Sequence, residues 1–211
     1  MSLARLLVAA TAGYLLGTVP SADVASRLAR GGRVDLRRSG SRNPGGLNVF
    51  RVLGPGSGRA VIVADVAKGF TSCACGNALA GDVGAHVAGV AAVVGHCYPA
   101  WNGFQGGKGV ATSFGQCLYT FPAYAPVDLA LAVGVARVPG LRRPGLVTVV
   151  ASALAWVLAS IFWWRRRLPN SWGPEPTLAL PLATTATVLV IGSRFARAYR
   201  LGHPDELELR R

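Results

Sequence analysis

The chain has 211 residues, 51 % of them apolar and 15 % charged, with 22 basic against 9 acidic side chains and a formal net charge of +13. An average soluble domain carries roughly 25 % charged residues, and the apolar content excludes a disordered chain. A soluble nucleic-acid binder would spread its cations over a polar surface. Here they are bunched between long uncharged stretches, the pattern of a membrane protein that faces anionic lipids or phosphorylated ligands and not nucleic acid.

Seven apolar segments follow one another: residues 3–24, 60–79, 84–98, 110–121, 124–136, 146–164 and 178–193. The first contains only Arg5 and Asp23 as charges, and its length suffices to cross a hydrocarbon layer of about 30 Å as a helix. It lacks a strongly basic start, and Pro20-Ser21 is a poor cleavage site, so it reads as a span and not as a signal peptide. Several later segments are short for free-standing spans, and periodicity does not separate a short span from a re-entrant helix. Their Gly and Ala content suits close helix packing. Cys73, Cys75, Cys97 and Cys117 lie in or beside these segments without a C-x-x-C pair and read as small buried hydrophobes. The expected fold is all-α: a polytopic membrane bundle of about seven transmembrane helices, one domain over residues 1–211.

Only Arg5 stands at the starting end of the first span, whereas Arg27, Arg30, Arg33, Arg37, Arg38, Arg42, Arg51 and Arg59 follow it. The positive-inside rule therefore places the amino terminus outside and this connection in the cytoplasm. Seven crossings put residues 99–108, 137–145 and the tail from Arg194 on the same cytoplasmic side. Arg165-Arg166-Arg167 then falls outside, against the rule, with Trp163 and Trp164 beside it as interfacial anchors.

Three stretches carry chemistry. Residues 39–51 hold Ser39, Gly40, Ser41, Asn43, Gly45, Asn48 and Arg51, a set of turn residues, hydroxyls, amides and one bidentate cation. Such a loop suits an anion as well as it suits plain solvent. It lacks the Gly-Lys-Ser/Thr of a nucleotide-binding P-loop. Asp65 and Lys68 stand three apart in the second span, on one helix face, where they can pair; Lys68 can equally snorkel to the interface. Residues 95–112 combine His96 at one helix end with Gly106-Gly107-Lys108-Gly109 at the start of the next. Backbone N–H groups, the positive end of a helix dipole and an ammonium meet there, which makes a phosphate site. His96 is either a polar helix cap or a donor to that phosphate. Lys68 and Lys108 are the chain's two lysines, against twenty arginines, and each precedes a glycine.

Taken together these stretches resemble the bacterial membrane glycerol-3-phosphate acyltransferase family that uses acyl phosphate as donor. Residues 14–21, Tyr-Leu-Leu-Gly-Thr-Val-Pro-Ser, look like its first-helix signature. Residues 39–51 are similar to its S-G-S-G-N-x-G-A-T-N-x-x-R loop, 65–69 to its D-x-x-K-G, and 95–112 to its G-H-x-x-P…F-x-G-G-K-G-V-A-T. The resemblance implies an enzyme of the cytoplasmic membrane with its active site on the cytoplasmic face. It would make 1-acyl-glycerol 3-phosphate without acyl-CoA, acyl carrier protein, metal or other cofactor, with membrane lipids as its surroundings. It assigns catalysis to His96, Lys108, Lys68, Asn48 and Arg51. Substrate binding falls to Ser39, Gly40, Ser41, Asn43, Gly45, Gly106, Gly107, Gly109 and Arg200, with the acceptor expected in the first loop. The alternative is a non-catalytic or substrate-shifted homologue that binds glycerol phosphate or an anionic lipid. The chain departs from the family pattern at Arg42 and Leu47, which replace Gly and Thr. Gly145 and Val147 stand for the Ser and Gly of an S-L-G segment, and Arg197 takes an Asn position. Loss of that Ser and Asn predicts weakened activity that Gly145→Ser would raise; Arg197→Asn would raise it too, or lower it where the extra cation already replaces the lost amide.

Overall fold

A computed structural model describes residues 2–29, 34–205 and 207–208; Arg30 and Arg33 of the arginine-rich connection lie outside the described residues. Among the described residues the regular elements are all helical: α1 (Leu3–Gly17), α2 (Ser21–Leu28), α3 (Gly46–Val52), α4 (Pro55–Cys97), α5 (Val110–Thr120), α6 (Ala125–Ala136), α7 (Pro144–Arg166) and α8 (Ala179–Arg200). Four helical stretches are long and apolar enough to cross a bilayer: Leu3–Leu28, Pro55–Asn102, Pro144–Arg166 and Ala179–Arg200. Their outward side chains are apolar, with Leu3, Leu7, Leu158 and Leu189 all exposed, as expected where the solvent is hydrocarbon.

The first apolar segment is not one straight helix. α1 stops at Gly17 and α2 starts at Ser21, because Pro20 has no N–H to continue the ladder and disfavours a helical residue before it. The Val19 carbonyl freed at this break accepts from Lys68 Nζ at 3.1 Å. α4 is broken too, at Ala80 (φ −144°) and Gly81 (φ 65°). The two arms, residues 55–79 and 82–97, fold back on each other so closely that a Cβ on Gly76 would lie 2.3 Å from the Gly84 carbonyl oxygen. The second and third apolar segments of the sequence are thus the arms of one helical hairpin.

Glycine contacts run through the bundle. Gly13 and Gly17, four apart on α1, press on the backbone of Ala88 and Ala92 in the second arm. A small-xxx-small pair of this kind lets two helices approach in a membrane, where lipid supplies no hydrophobic drive between them. Gly69 and Gly115 do the same between the first arm and α5. Cys73, Cys97 and Cys117 are buried and Cys75 is half-buried. Phe121, Tyr124, Trp156 and Leu180 form a core cluster where α5, α6, α7 and α8 meet.

These directions gather four connections at one end of the bundle. Arg37 in the first connection donates from Nε to the Gln105 carbonyl of the second, at 2.8 Å. Arg194 near the end of α8 donates to the carbonyls of Gly106 and Gly107. Asp205 of the tail accepts from the backbone N–H groups of Gly145 and Leu146 at the start of α7. The start of α1 lies at the opposite end.

Candidate active site

Asp65 is the centre of the polar cluster at that gathered end. The i, i+3 spacing on the first arm brings Lys68 Nζ to 2.9 Å from Asp65 Oδ1. The Ser21 hydroxyl, just past the Pro20 break, donates to the same oxygen at 2.5 Å, and His96 Nδ1 stands 3.6 Å from it. All three ionisable groups are buried, so the carboxylate, the ammonium and the imidazole form a compact desolvated unit held by the two arms of α4 and the start of α2.

A second ion pair lines the same cleft as the cluster. Arg37 grips Asp23 in bidentate fashion, Nη1 to Oδ1 at 2.7 Å and Nη2 to Oδ2 at 3.0 Å, while Asn102 Nδ2 donates to Asp23 Oδ2 at 2.9 Å. The hydrogen bond to this carboxylate holds the Arg37 pKa above its usual value. Tyr14 and Thr18 of α1 fix the turn beyond His96. Tyr14 Oη donates to the Tyr98 carbonyl and accepts from Ala100 N–H, and Thr18 Oγ1 accepts from Trp101 Nε1.

The glycine-rich second loop is tied down on both sides. Gly106 N–H donates to the Cys97 carbonyl and Gly107 N–H to the His96 carbonyl, each at 3.1 Å, and their own carbonyls take the Arg194 guanidinium. The expectation that these two N–H groups face an anion is therefore corrected: they are spent on the preceding helix end. What the loop presents is Lys108, whose ammonium lies 4.5 Å from the Phe195 ring centre, and Gly109 (φ 86°). Gly109 opens α5 without a side-chain cap. Gly107 must be glycine, since a Cβ there would come within 2.2 Å of His96 Nε2.

Two cavities meet at Asp65 and His96. One is a polar cleft of about 20 Å³ between Ser21, Asp23, Arg37, Lys68 and the Gly106-Gly107 turn, room for about one water. The other is a groove of about 860 Å³. Its head is polar, with Asn43 and Gly45 from the first loop, Lys108 and Gly109 from the second, and Arg200 from α8. Its body is apolar, lined by α5 to α8 through Phe114, Leu129, Val149, Val188 and Ile191. A charged head on an apolar channel is the shape of a site for a phosphorylated lipid or acyl group.

Of the residues expected from sequence, His96, Lys68, Lys108, Asn43, Gly45, Gly106, Gly107, Gly109 and Arg200 line one cavity or the other. Ser39, Gly40, Ser41, Asn48 and Arg51 line neither. Asn48 is fully buried and holds the loop from inside: Nδ2 donates to the carbonyls of Leu36 and Ser39, and Oδ1 accepts from Ser41 N–H. Its role is to shape the loop that presents Asn43 and Gly45. Arg51 sits in the last turn of α3.

Sequence reasoning missed Ser21, Asp23, Arg37, Arg194 and Asp205 as parts of the site. A lone acid in an apolar span was a signal for Asp23; Arg37 and Arg194 are two among twenty arginines with nothing local to mark them. Asp205 explains one departure. Its carboxylate accepts from Gly145 and Leu146 N–H at 3.0 and 3.1 Å, and a Cβ on residue 145 would lie 2.6 Å from it. Gly145 makes room for this cap. Arg197, which takes an Asn position, is exposed and outside the groove lining.

Residues 7–201 match the model of the family described as Glycerol-3-phosphate acyltransferase. A glycerol-3-phosphate acyltransferase of Symbiobacterium thermophilum is 42 % identical over 156 residues, 74 % of this chain and 75 % of the relative. One of Thermoanaerobacter pseudethanolicus is 36 % identical over 157 residues, 74 % and 77 % of the two chains. The fold is similar to the crystal structure of PlsY (YgiH), an integral membrane glycerol 3-phosphate acyltransferase, in its glycerol 3-phosphate form. The TM-score is 0.72 at 28 % identity, covering 92 % of this chain and 90 % of that one. The lysophosphatidic acid form of PlsY aligns with a TM-score of 0.65.

Proposed function

Because the chain belongs to the glycerol-3-phosphate acyltransferase family, we propose that its two loops hold the two phosphates of an acyl transfer from acyl phosphate to glycerol 3-phosphate. The protein is an all-helical integral membrane acyltransferase that acylates glycerol 3-phosphate to lysophosphatidic acid. The donor, the residue roles and the sidedness are our reading. The observation that carries it is the groove with Lys108, Arg200, Asn43 and His96 at its head and an aliphatic body behind.

The acyl chain lies in the groove body, and the donor phosphate at its head faces Lys108, Arg200 and the uncapped start of α5. Glycerol 3-phosphate binds across from it, on the side of Asn43 and Gly45. His96, oriented by Asp65 and Gly107, holds the acceptor hydroxyl against the acyl carbonyl. The hydroxyl oxygen forms the new bond to the carbonyl carbon, the carbon–oxygen bond to phosphate breaks, and inorganic phosphate leaves with the hydroxyl proton. An acyl phosphate is a mixed anhydride with a good leaving group, so charge neutralisation and alignment account for the catalysis. Lys68 fixes the Asp65 carboxylate and ties it to the α1 break at Val19.

We further read the bundle as a single domain of seven passes, in which the two arms of α4 and the shorter α5 and α6 each count as one. With an odd number of passes and the arginines gathered at the site end, the amino terminus lies outside and the site opens to the cytoplasm. The test is donor choice. Purified protein given labelled glycerol 3-phosphate should form lysophosphatidic acid from acyl phosphate and none from acyl-CoA or an acyl-carrier thioester. Product from a thioester but not from acyl phosphate would contradict the reading.

A further inference from the structure

The groove wall contains one hydrogen-bonded carboxylate that the chemistry above does not use. Asp128 on α6 and Ser152 on α7 both line it, and Ser152 Oγ donates to Asp128 Oδ1 at 2.5 Å. The lining around them is aliphatic, with Leu129, Val149 and Ala153. A carboxylate in an apolar wall within the membrane is costly, and such groups tend to mark a function.

Its depth decides between two roles. α7 starts at the groove mouth with Gly145 and runs inward, so Ser152 lies about 10 Å deeper at 1.5 Å per residue. Trp156, one turn further in, still lines the groove. The pair therefore stands in the side wall, and an acyl chain runs past it instead of ending against it. A methylene offers the carboxylate nothing to accept, whereas a hydroxyl offers a proton.

We propose that Asp128, oriented by Ser152, selects acyl donors whose chain carries a hydroxyl part-way along, about 10 Å from the mouth. Ser152 holds Oδ1, and Oδ2 accepts from the chain hydroxyl. The inference rests on the groove being the acyl site.

The experiment compares two acyl phosphates of equal length, one saturated and one hydroxylated in mid-chain, on the purified full-length protein. Wild type should favour the hydroxylated donor in kcat/KM by about tenfold or more, the size of one hydrogen bond to a charged group. Asp128→Leu should reverse the preference, Asp128→Asn should keep part of it, and the KM for glycerol 3-phosphate should stay constant. Asp128 also lies in the first turn of α6, where an acid suits the helix dipole. A purely structural role would slow both donors alike and leave their ratio unchanged. Equal kcat/KM for the two donors in wild type, or an unchanged ratio in Asp128→Leu, overturns the proposal. The underlying reading fails differently: calorimetric binding of the two free fatty acids would then be unaffected by Ala153→Trp, which fills the groove beside the pair.

Discussion

A side chain at position 107 would strike the imidazole of His96, and a carbonyl on the same residue receives Arg194. Gly107→Ala should therefore displace His96 and lower kcat strongly while the protein still inserts and folds. The check is kinetics beside a thermal melt in detergent, and unchanged kcat would show that His96 does not orient the acceptor. Asn48 is buried and bonded to the backbone of its own loop. Asn48→Ala leaves one backbone N–H and two carbonyls without their partner, an expected loss of about 3 kcal/mol or more at about 1–3 per buried orphan. That appears as a lowered melting temperature together with a raised KM for glycerol 3-phosphate, and a change in KM alone would mean that Asn48 touches the substrate. At this scale the sequence was readable where residue type is itself unusual. Two lysines among twenty arginines, a His at a helix end and a Gly-Gly-Lys-Gly run all reach the site. Asn48 was found for the wrong reason, because an amide in a turn-rich loop looks the same whether it faces a ligand or the loop's own backbone.

The elements came through the sequence well in position and less well in shape. α5 to α8 start and end within a few residues of the apolar segments, except that α8 runs on to Arg200, since hydropathy falls at Arg194 while helical hydrogen bonding does not. The break between α1 and α2 was hidden inside an apolar run, although Pro20 carries the physical reason for it. That break frees the Val19 carbonyl for Lys68 and turns Ser21 toward Asp65. The tail was unreadable: nothing local tells that Asp205 reaches back sixty residues to α7. Gly145→Ser should accordingly not raise the rate. It should push Asp205 off the helix start, cost about 1 kcal/mol as a lost cap, and expose residues 201–208 to protease. A faster enzyme with a protected tail would restore the simpler view of a missing serine. The same tail carries His203, whose pKa lies below the usual imidazole value through burial and the cations Arg42, Lys108, Arg194 and Arg197. The docked tail therefore disfavours its charged form. Its contribution is present above the usual imidazole pKa and is lost as pH falls below about 6.5. Protease protection of the tail should drop over that range, and a flat profile would mean that His203 does not sense docking.

Across the whole molecule, the arrangement that matters is the convergence of four connections at one end, where a polar cleft and an apolar groove share Asp65 and His96. The clustered arginines and residues 95–112, which resemble a family pattern, both fall at this end of the bundle. Composition alone could not join them, because the groove is made by α5 to α8 packing beside the α4 hairpin, and its apolar lining looks like any membrane helix. The central proposal is that Lys108 neutralises the donor phosphate at the groove head. Its most direct test is lysophosphatidic acid formation from acyl phosphate and glycerol 3-phosphate by purified wild type and Lys108→Ala side by side. Wild type should release one phosphate per acyl group transferred. The variant, equally folded, should be slower by about ten- to hundredfold, as loss of one charge-assisted phosphate contact requires. Equal rates in the two proteins would contradict the account.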